Sequence, residues 1–250
     1  MTVSPPAAGG GPGDLLPSGR WSIIQHVAYE GPGLIVEVLT AAGHPFRVIR
    51  VDQGDDLPGL DRVGGADGIG GLVVLGGPMS VHDGDRFPWL ADERKLLAAA
   101  VEAGLPVLGV CLGAQQLAAA LGAEVTTGDR AEIGLGSVVL TAAGRRDRVL
   151  GPEYGGLAGT DIPCVHWHQD TFSLPPDAVH LAATRAFPHQ GFRVGARAYG
   201  FQFHVEVTSA LADGWRAQLP DDVVLEAAGL SRVETTGRRI LPRFVDLAAP

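Results

Sequence analysis

Short apolar runs alternate with helix-like segments through the first half of the chain. The run at residues 71–75 is apolar on both faces, which is typical of a strand in the middle of a parallel sheet. The segment at 34–42 follows Gly-Pro-Gly and ends before Gly43, which predicts a helix. The predicted strands are residues 23–27, 46–51, 71–75 and 106–110, and the predicted helices are 34–42, 89–103 and 112–121. This alternation predicts an α/β fold with a doubly wound, mostly parallel sheet and helices on both faces.

The second half of the chain has a different pattern and reads mainly as strands joined by turns. The predicted strands there are residues 133–141, 164–172, 179–184 and 191–207. Nothing in the sequence marks a linker or an internal repeat between the halves. We therefore expect the regions around Cys111 and His204 to meet within a single fold.

The domain organisation follows from the same patterns. Residues 1–20 are rich in Pro and Gly and are predicted to be a disordered tail, because they lack the basic start and apolar run of a signal peptide. Residues 21–250 are predicted to form one domain. Its last part, 210–250, is predicted to be a helical extension with apolar stretches around 223–230 and 240–247.

Composition limits the functions that are compatible with this fold. The formal net charge of the 250 residues is −9. No basic stripe is present, which argues against binding to nucleic acid or to an anionic membrane surface. The two cysteines, Cys111 and Cys164, make no disulfide framework, and no stretch has the length of a membrane-spanning helix. We therefore expect a cytoplasmic protein.

The strongest chemical signal is a cysteine between two glycines at a strand-to-helix junction. Gly109 and Gly113 flank Cys111 in a Gly-x-nucleophile-x-Gly arrangement, which permits the sharp turn of a nucleophile elbow. The N-terminus of the following helix would favour a thiolate over a thiol. The alternative interpretation is a buried free cysteine in an apolar strand, which is common.

A second signal is the pair His204 and Glu206. Two residues apart in a predicted strand, their side chains would point to the same face of the sheet. The carboxylate could then hold one imidazole nitrogen and leave the other to face a thiol. The alternative interpretation of this pair alone is a solvated strand face.

Three segments in order resemble the signature blocks of class I glutamine amidotransferases. They are residues 75–80 (LGGPMS), 106–115 (PVLGVCLGAQ) and 199–206 (YGFQFHVE). More narrowly, the chain resembles stand-alone proteins similar to the amidotransferase domain of GMP synthetase, over about residues 21–209. The resemblance implies a flavodoxin-like sheet and a catalytic triad of Cys111, His204 and Glu206.

The resemblance also implies roles for other residues. Backbone N–H groups of Gly77 and Leu112 are expected to form an oxyanion hole. The residues predicted to bind substrate are Gly76, Gln115, His168 and Asp170. For Gln115, the alternative is an ordinary position on the helix surface.

Three positions depart from the family pattern. Gln169 replaces a glycine in the segment Trp-His-Gly-Asp, His189 replaces a usual asparagine, and Val205 stands where proline is common. These changes leave the predicted triad intact and leave the identity of the substrate open.

The expected activity is hydrolysis of the side-chain amide of L-glutamine, or of another γ-glutamyl compound, through a thioester on Cys111. The chain would either supply ammonia to a separate synthase subunit or hydrolyse γ-glutamyl peptides or amides by itself. A catalytically silent binding module is a third alternative. Intracellular-protease-type thiol hydrolases place a histidine directly after the cysteine. This chain has Leu112 at that position, which argues against membership of that class.

No cofactor and no metal are expected. The glycine pairs at 64–65 and 70–71 lack the Lys-Ser/Thr partner of a phosphate-binding loop. His166 and His168, together with His204 and Glu206, could in principle supply metal ligands, but no supporting pattern accompanies them. Cys164 is expected to have a structural role.

Overall fold

The computed structural model describes residues 19–64, 68–151 and 161–248, which form a nine-stranded sheet flanked by helices. The strands are β1 Arg20–Gln25, β2 Phe46–Arg50, β3 Ile69–Val74, β4 Val107–Val110, β5 Val125–Leu140, β6 Asp161–Phe172, β7 Val179–Ala183, β8 Gly191–Val194 and β9 Ala198–Phe201. The α-helices named below are α1 Leu34–Ala41, α2 Trp89–Glu102, α3 Leu112–Ala120, α4 Ser209–Trp215 and α5 Ala227–Val245.

The sheet is parallel on one side and antiparallel on the other. Its strand order is β2-β1-β3-β4-β9-β8-β7-β5-β6. Pairing is parallel from β2 to β9 and antiparallel from β9 to β6. The predicted α/β class is confirmed, and the antiparallel half corresponds to the strand-rich second half of the sequence. Because β3, β4 and β9 are neighbours and run parallel, their carboxyl ends lie at one edge, where Gly76, Cys111 and His204 follow them.

Helices cover both faces of the sheet, as the alternating pattern predicts. Alternate residues of β1 point to opposite faces, so Ile23 packs in one core and Ile24 in the other. Helices α1 and α5 pack together on the first face, and α2 and α3 pack together on the second. Among the described helices, none combines the length and the apolar character needed to cross a membrane.

The structure corrects two predicted elements. The predicted strand at 191–207 is a hairpin of β8 and β9, with Gly195 in the turn at φ +58°, and regular strand structure ends at Phe201. The two apolar stretches predicted near the C-terminus belong largely to one 19-residue helix, α5. Its buried positions recur at helical spacing because one face packs on α1 and the sheet. The predicted tail lies almost wholly outside the described residues, and β1 already begins at Arg20.

Candidate active site

Cys111 lies at a strained turn between β4 and α3. Its φ of 53° is unusual for a residue with a side chain, and Asp177 is the only other non-glycine residue of the described ranges with positive φ. A Cβ at Gly109 would collide with the backbone of Gly113, and one at Gly113 would collide with the carbonyl of Val74. Both flanking positions therefore require glycine, and the turn has the geometry of a nucleophile elbow.

The elbow is held from two sides by backbone hydrogen bonds. The N–H of Cys111 donates to the carbonyl of Phe201 on β9 at 2.8 Å, and the N–H of Gly113 donates to the carbonyl of Leu75 at 3.1 Å. The thiol of Cys111 donates to the carbonyl of Trp167 at 3.6 Å. The cysteine is thus fixed among three strands, and the residue is 5% exposed.

His204 and Glu206 form a buried pair at the end of the same strands. Nδ1 of His204 lies 2.6 Å from Oε1 of Glu206, and both residues are at most 3% exposed. They lie beyond β9 rather than in a regular strand, and the backbone of His204 is held by a two-bond bridge to Val165. The ring of Trp215 packs edge-on against His204 with centroids 4.9 Å apart.

Gly76 is the point at which the two parts of the site meet. A Cβ built there would lie 3.2 Å from Cε1 of His204 and 3.4 Å from Cβ of Cys111, and it would collide with the carboxylate of Glu30. The structure therefore brings together the cysteine and histidine that sequence analysis singled out. Nε2 of His204 is buried and makes no hydrogen bond, so it remains available to a reacting group.

Burial and neighbouring charges shift the pKa values of this group. Burial raises the pKa of the Cys111 thiol, and the adjacent His204 opposes that shift. Burial acts to lower the pKa of His204, but the Glu206 carboxylate and Cys111 raise it well above its usual value. A proton held on His204 stabilises a thiolate at Cys111 electrostatically.

Sequence analysis missed two groups in the loop after β1. Glu30 is 6% exposed, and burial raises the pKa of its carboxyl to about 7, although His204 and His26 act in the opposite direction. His26 bridges the site to α2, since Nδ1 lies 2.8 Å from the carbonyl of Gly76 and Nε2 lies 2.8 Å from Oε2 of Glu93. Their position just after a parallel strand, at the edge where sites gather, is the signal that could have indicated them.

A pocket of about 450 Å³ opens beside Cys111. Of the predicted binding residues, Gln115, His168 and Asp170 line it, as does Gly77 of the predicted oxyanion hole. Gly76 does not line the pocket and lies against the carboxylate of Glu30.

Much of the hydrogen-bonding capacity of these lining residues is used within the protein. The carboxylate of Asp170 accepts from the hydroxyls of Ser80 at 2.9 Å and Thr127 at 2.7 Å. The amide nitrogen of Gln115 donates to the backbone oxygen of Asp170 at 3.3 Å and to Oε1 of Gln202 at 3.2 Å. Asp170 and Gln115 therefore shape the pocket wall through a shared network.

The departures from the family pattern lie in different places. Gln169 lines the pocket, and its amide donates to the carbonyl of Gly128 at 3.0 Å. His189 does not line the pocket, because its Nδ1 faces the carbonyl of Phe172 at 2.8 Å and its ring packs against His180. Val205 is buried. Of the three, only Gln169 can touch a ligand in this pocket.

Comparison with known proteins points to one family. The family described as glutamine amidotransferase class-I matches residues 33–215. The glutamine amidotransferase-like protein YfeJ of Salmonella typhimurium is 32% identical over 198 residues, covering 78% of this chain and 79% of YfeJ. The GMP synthase [glutamine-hydrolyzing] of Pseudomonas syringae pv. syringae is 34% identical over 150 residues, covering 58% of this chain and 26% of the synthase.

Solved structures agree with these sequence matches. A glutamine amido transferase from Methylobacillus flagellatus superposes with a TM-score of 0.77 at 28% identity, covering 92% of this chain and 95% of that one. A glutamine amidotransferase from Thermotoga maritima superposes with a TM-score of 0.76 at 26% identity, covering 93% and 98%. In each case the similarity therefore extends over nearly the whole of this chain and nearly the whole of the solved one.

Proposed function

Since the chain belongs to the class I glutamine amidotransferase family, we propose that it hydrolyses the side-chain amide of glutamine through a γ-glutamyl thioester on Cys111. The observation that carries the proposal is the convergence of Cys111 and His204 on Gly76. The Glu206 carboxylate orients His204 from the far side. This arrangement supplies a nucleophile, a proton carrier and an orienting carboxylate, the three parts of a hydrolytic triad.

The reaction begins with attack of the Cys111 sulfur on the amide carbonyl. The N–H of Leu112, which faces the sulfur, and that of Gly77 on the pocket wall are the proposed donors to the oxyanion. His204 then gives a proton from Nε2 to the leaving nitrogen, and ammonia departs. In the second half-reaction His204 takes a proton from water, which attacks the thioester and releases glutamate.

A second candidate is hydrolysis of γ-glutamyl peptides or amides by the chain alone. One observation favours it: Gln169, which replaces the glycine of the family pattern, adds an amide to the pocket wall. Under this proposal the leaving group is an amine or a peptide rather than ammonia. A synthase partner would then have no role in the reaction.

Steady-state kinetics on the purified chain separates the two candidates. Glutamate release is measured with L-glutamine and with a panel of γ-glutamyl peptides, using Cys111→Ser as the negative control and Cys164→Ser as the matched control. An ammonia supplier should show weak glutaminase activity alone, because a partner usually completes such sites by closing over them. A strong preference for a γ-glutamyl peptide over glutamine would contradict the ammonia-supplier proposal, and release that survives Cys111→Ser would contradict both.

A further inference from the structure

Two histidines and a glutamate converge on a second cluster, on the hairpin of β5 and β6. His166 and His168 are two residues apart on β6 and share a face, and Glu132 on β5 is paired with His168. Oε2 of Glu132 lies 3.6 Å from Nδ1 of His166 and 3.4 Å from Nε2 of His168. All three ligand atoms lie within 4.8 Å of one another. The sequence offered His166 and His168 as possible metal ligands together with His204 and Glu206. In the structure His204 and Glu206 pair with each other, and Glu132 is the carboxylate beside the two histidines.

The hydrogen bonds around the cluster leave two buried atoms without a partner. The amide nitrogen of Gln190 donates to Oε2 of Glu132 at 2.6 Å and faces Nε2 of His168 at 3.3 Å. His166 is 6% exposed, and its Nδ1 is turned toward Glu132 without making a hydrogen bond. Oε1 of Gln190 is also buried and makes no hydrogen bond. Such atoms destabilise a protein unless something binds them.

We propose that Glu132, His166 and His168 bind one divalent transition-metal ion, with Zn²⁺ the best match. Ligand atoms around a tetrahedral zinc are roughly 3.3–3.5 Å apart, given bonds of about 2.0–2.2 Å. The two separations from Oε2 of Glu132 agree with that spacing. Two imidazoles and one carboxylate suit zinc and its neighbours rather than Mg²⁺ or Ca²⁺, which prefer oxygen ligands.

The surroundings fit the needs of metal-binding histidines. Nδ1 of His168 lies 3.1 Å from the carbonyl of Asp170, so the proton of the ring belongs there and Nε2 presents a lone pair to the cluster. Both histidines are 6% exposed, so an ion bound between them would be largely shielded from water.

The cluster also has a fourth donor and a second layer of support. Rotation of the Gln190 amide by half a turn would present Oε1 where Nε2 now lies. The hydroxyl of Thr184 donates to Oε1 of Glu132 at 2.8 Å, so Oε2 is left for the ion once the Gln190 amide nitrogen has rotated away from it. A bound ion would tie β5 to β6 beside the pocket, since His168 lines its wall.

The test measures metal binding and does not depend on the proposed reaction. Every variant carries Cys111→Ser so that the active-site thiol cannot bind the metal. The chelator-treated chain is titrated with Zn²⁺ by calorimetry and with Co²⁺ by visible absorption. We expect one ion per chain, a tetrahedral Co²⁺ spectrum, and a rise in Tm of about 5–10 °C at one hundred times Kd.

Two variants remove ligands and one serves as the control. Glu132→Gln and His166→Gln should each weaken binding by at least about 10-fold, the loss typical even of a supporting contact. His180→Gln, which alters the other histidine pair, His180 and His189, should leave binding unchanged. Near-UV circular dichroism without metal checks that each variant is folded. Absence of binding in the parent chain, or equal binding in folded Glu132→Gln, would overturn the proposal.

If both ligand variants fail to fold, crystals of the parent soaked in Zn²⁺ decide the question. An anomalous peak between Glu132 and the two histidines supports the site. A peak elsewhere, or none, rules it out.

Discussion

Replacement of Glu30 by glutamine should change how stability depends on pH. Glu30 is 6% exposed, and burial raises the pKa of its carboxyl from 4.5 to about 7. A raised pKa in the folded state means that the folded protein favours the protonated carboxyl. Its contribution to stability is therefore complete below about pH 4.5 and is lost as the pH rises through about 7. Glutamine keeps the shape of the protonated form and cannot ionise.

The size of the effect follows from linkage. One pKa unit corresponds to about 1.4 kcal/mol, and the part of the shift that falls between pH 5 and pH 8 amounts to roughly 2.5 kcal/mol. The free energy of unfolding of Glu30→Gln, relative to that of the wild type, should rise by about this amount across the interval. Contributions from groups that titrate alike in both proteins cancel in the difference.

Urea unfolding followed by tryptophan fluorescence measures this difference at each pH. The control is Glu102→Gln, which changes an exposed glutamate at the end of α2 and should give a difference that is flat with pH. A flat difference for Glu30→Gln as well would refute the reasoning. It would mean that the Glu30 carboxyl ionises in the folded protein as it does in the unfolded chain.

Three further predictions concern the elbow and its partners. A glutamine-mimicking chloroketone should alkylate Cys111 far faster than Cys164, because burial raises the pKa of the Cys164 thiol well above its usual value. Mass mapping that finds Cys164 modified first would overturn the choice of Cys111 as nucleophile. Glu206→Gln should retain the fold and lower turnover by up to about 10⁴-fold, as in serine triads; unchanged kcat with a normal melting curve would mean that the carboxylate has no catalytic role. Gly113→Ala should lower Tm by roughly 5–10 °C, because the new Cβ would collide with the carbonyl of Val74 on β3. Gly84→Ala, whose new Cβ meets open space, should leave Tm unchanged, and equal Tm values for the two variants would contradict the steric explanation.

Sequence reasoning reached the elements whose signals are local. The parallel half of the sheet could be predicted because its strands are buried on both faces and separated by helices with clear ends. The elbow at Cys111 could be predicted because close backbone packing on either side requires Gly109 and Gly113. In both cases a short stretch of sequence contains the whole physical requirement.

The parts that sequence reasoning missed depend on contacts between distant segments. Glu30 lies in a loop without a distinctive pattern, and its environment exists only because β1 and β3 are neighbours, which places it against Gly76. Glu132 was missed for the same reason, because its approach to His168 depends on the register of β5 against β6. The turn at Gly195 went unrecognised because apolar residues continue on both sides of it.

The segment of His204 to Glu206 has no regular secondary structure, yet it is anchored by parts of the chain far apart in sequence. The backbone of His204 exchanges two hydrogen bonds with Val165, and the N–H of Leu34 donates to the carbonyl of Glu206 at 2.9 Å. A side chain at Gly237 of α5 would collide with the carbonyl of Val205, so α5 packs directly against this backbone. Amide protons in such a segment exchange with solvent only when the surrounding core opens, although loops usually exchange early. We therefore expect the amide proton of His204, which is bonded to Val165, to exchange late.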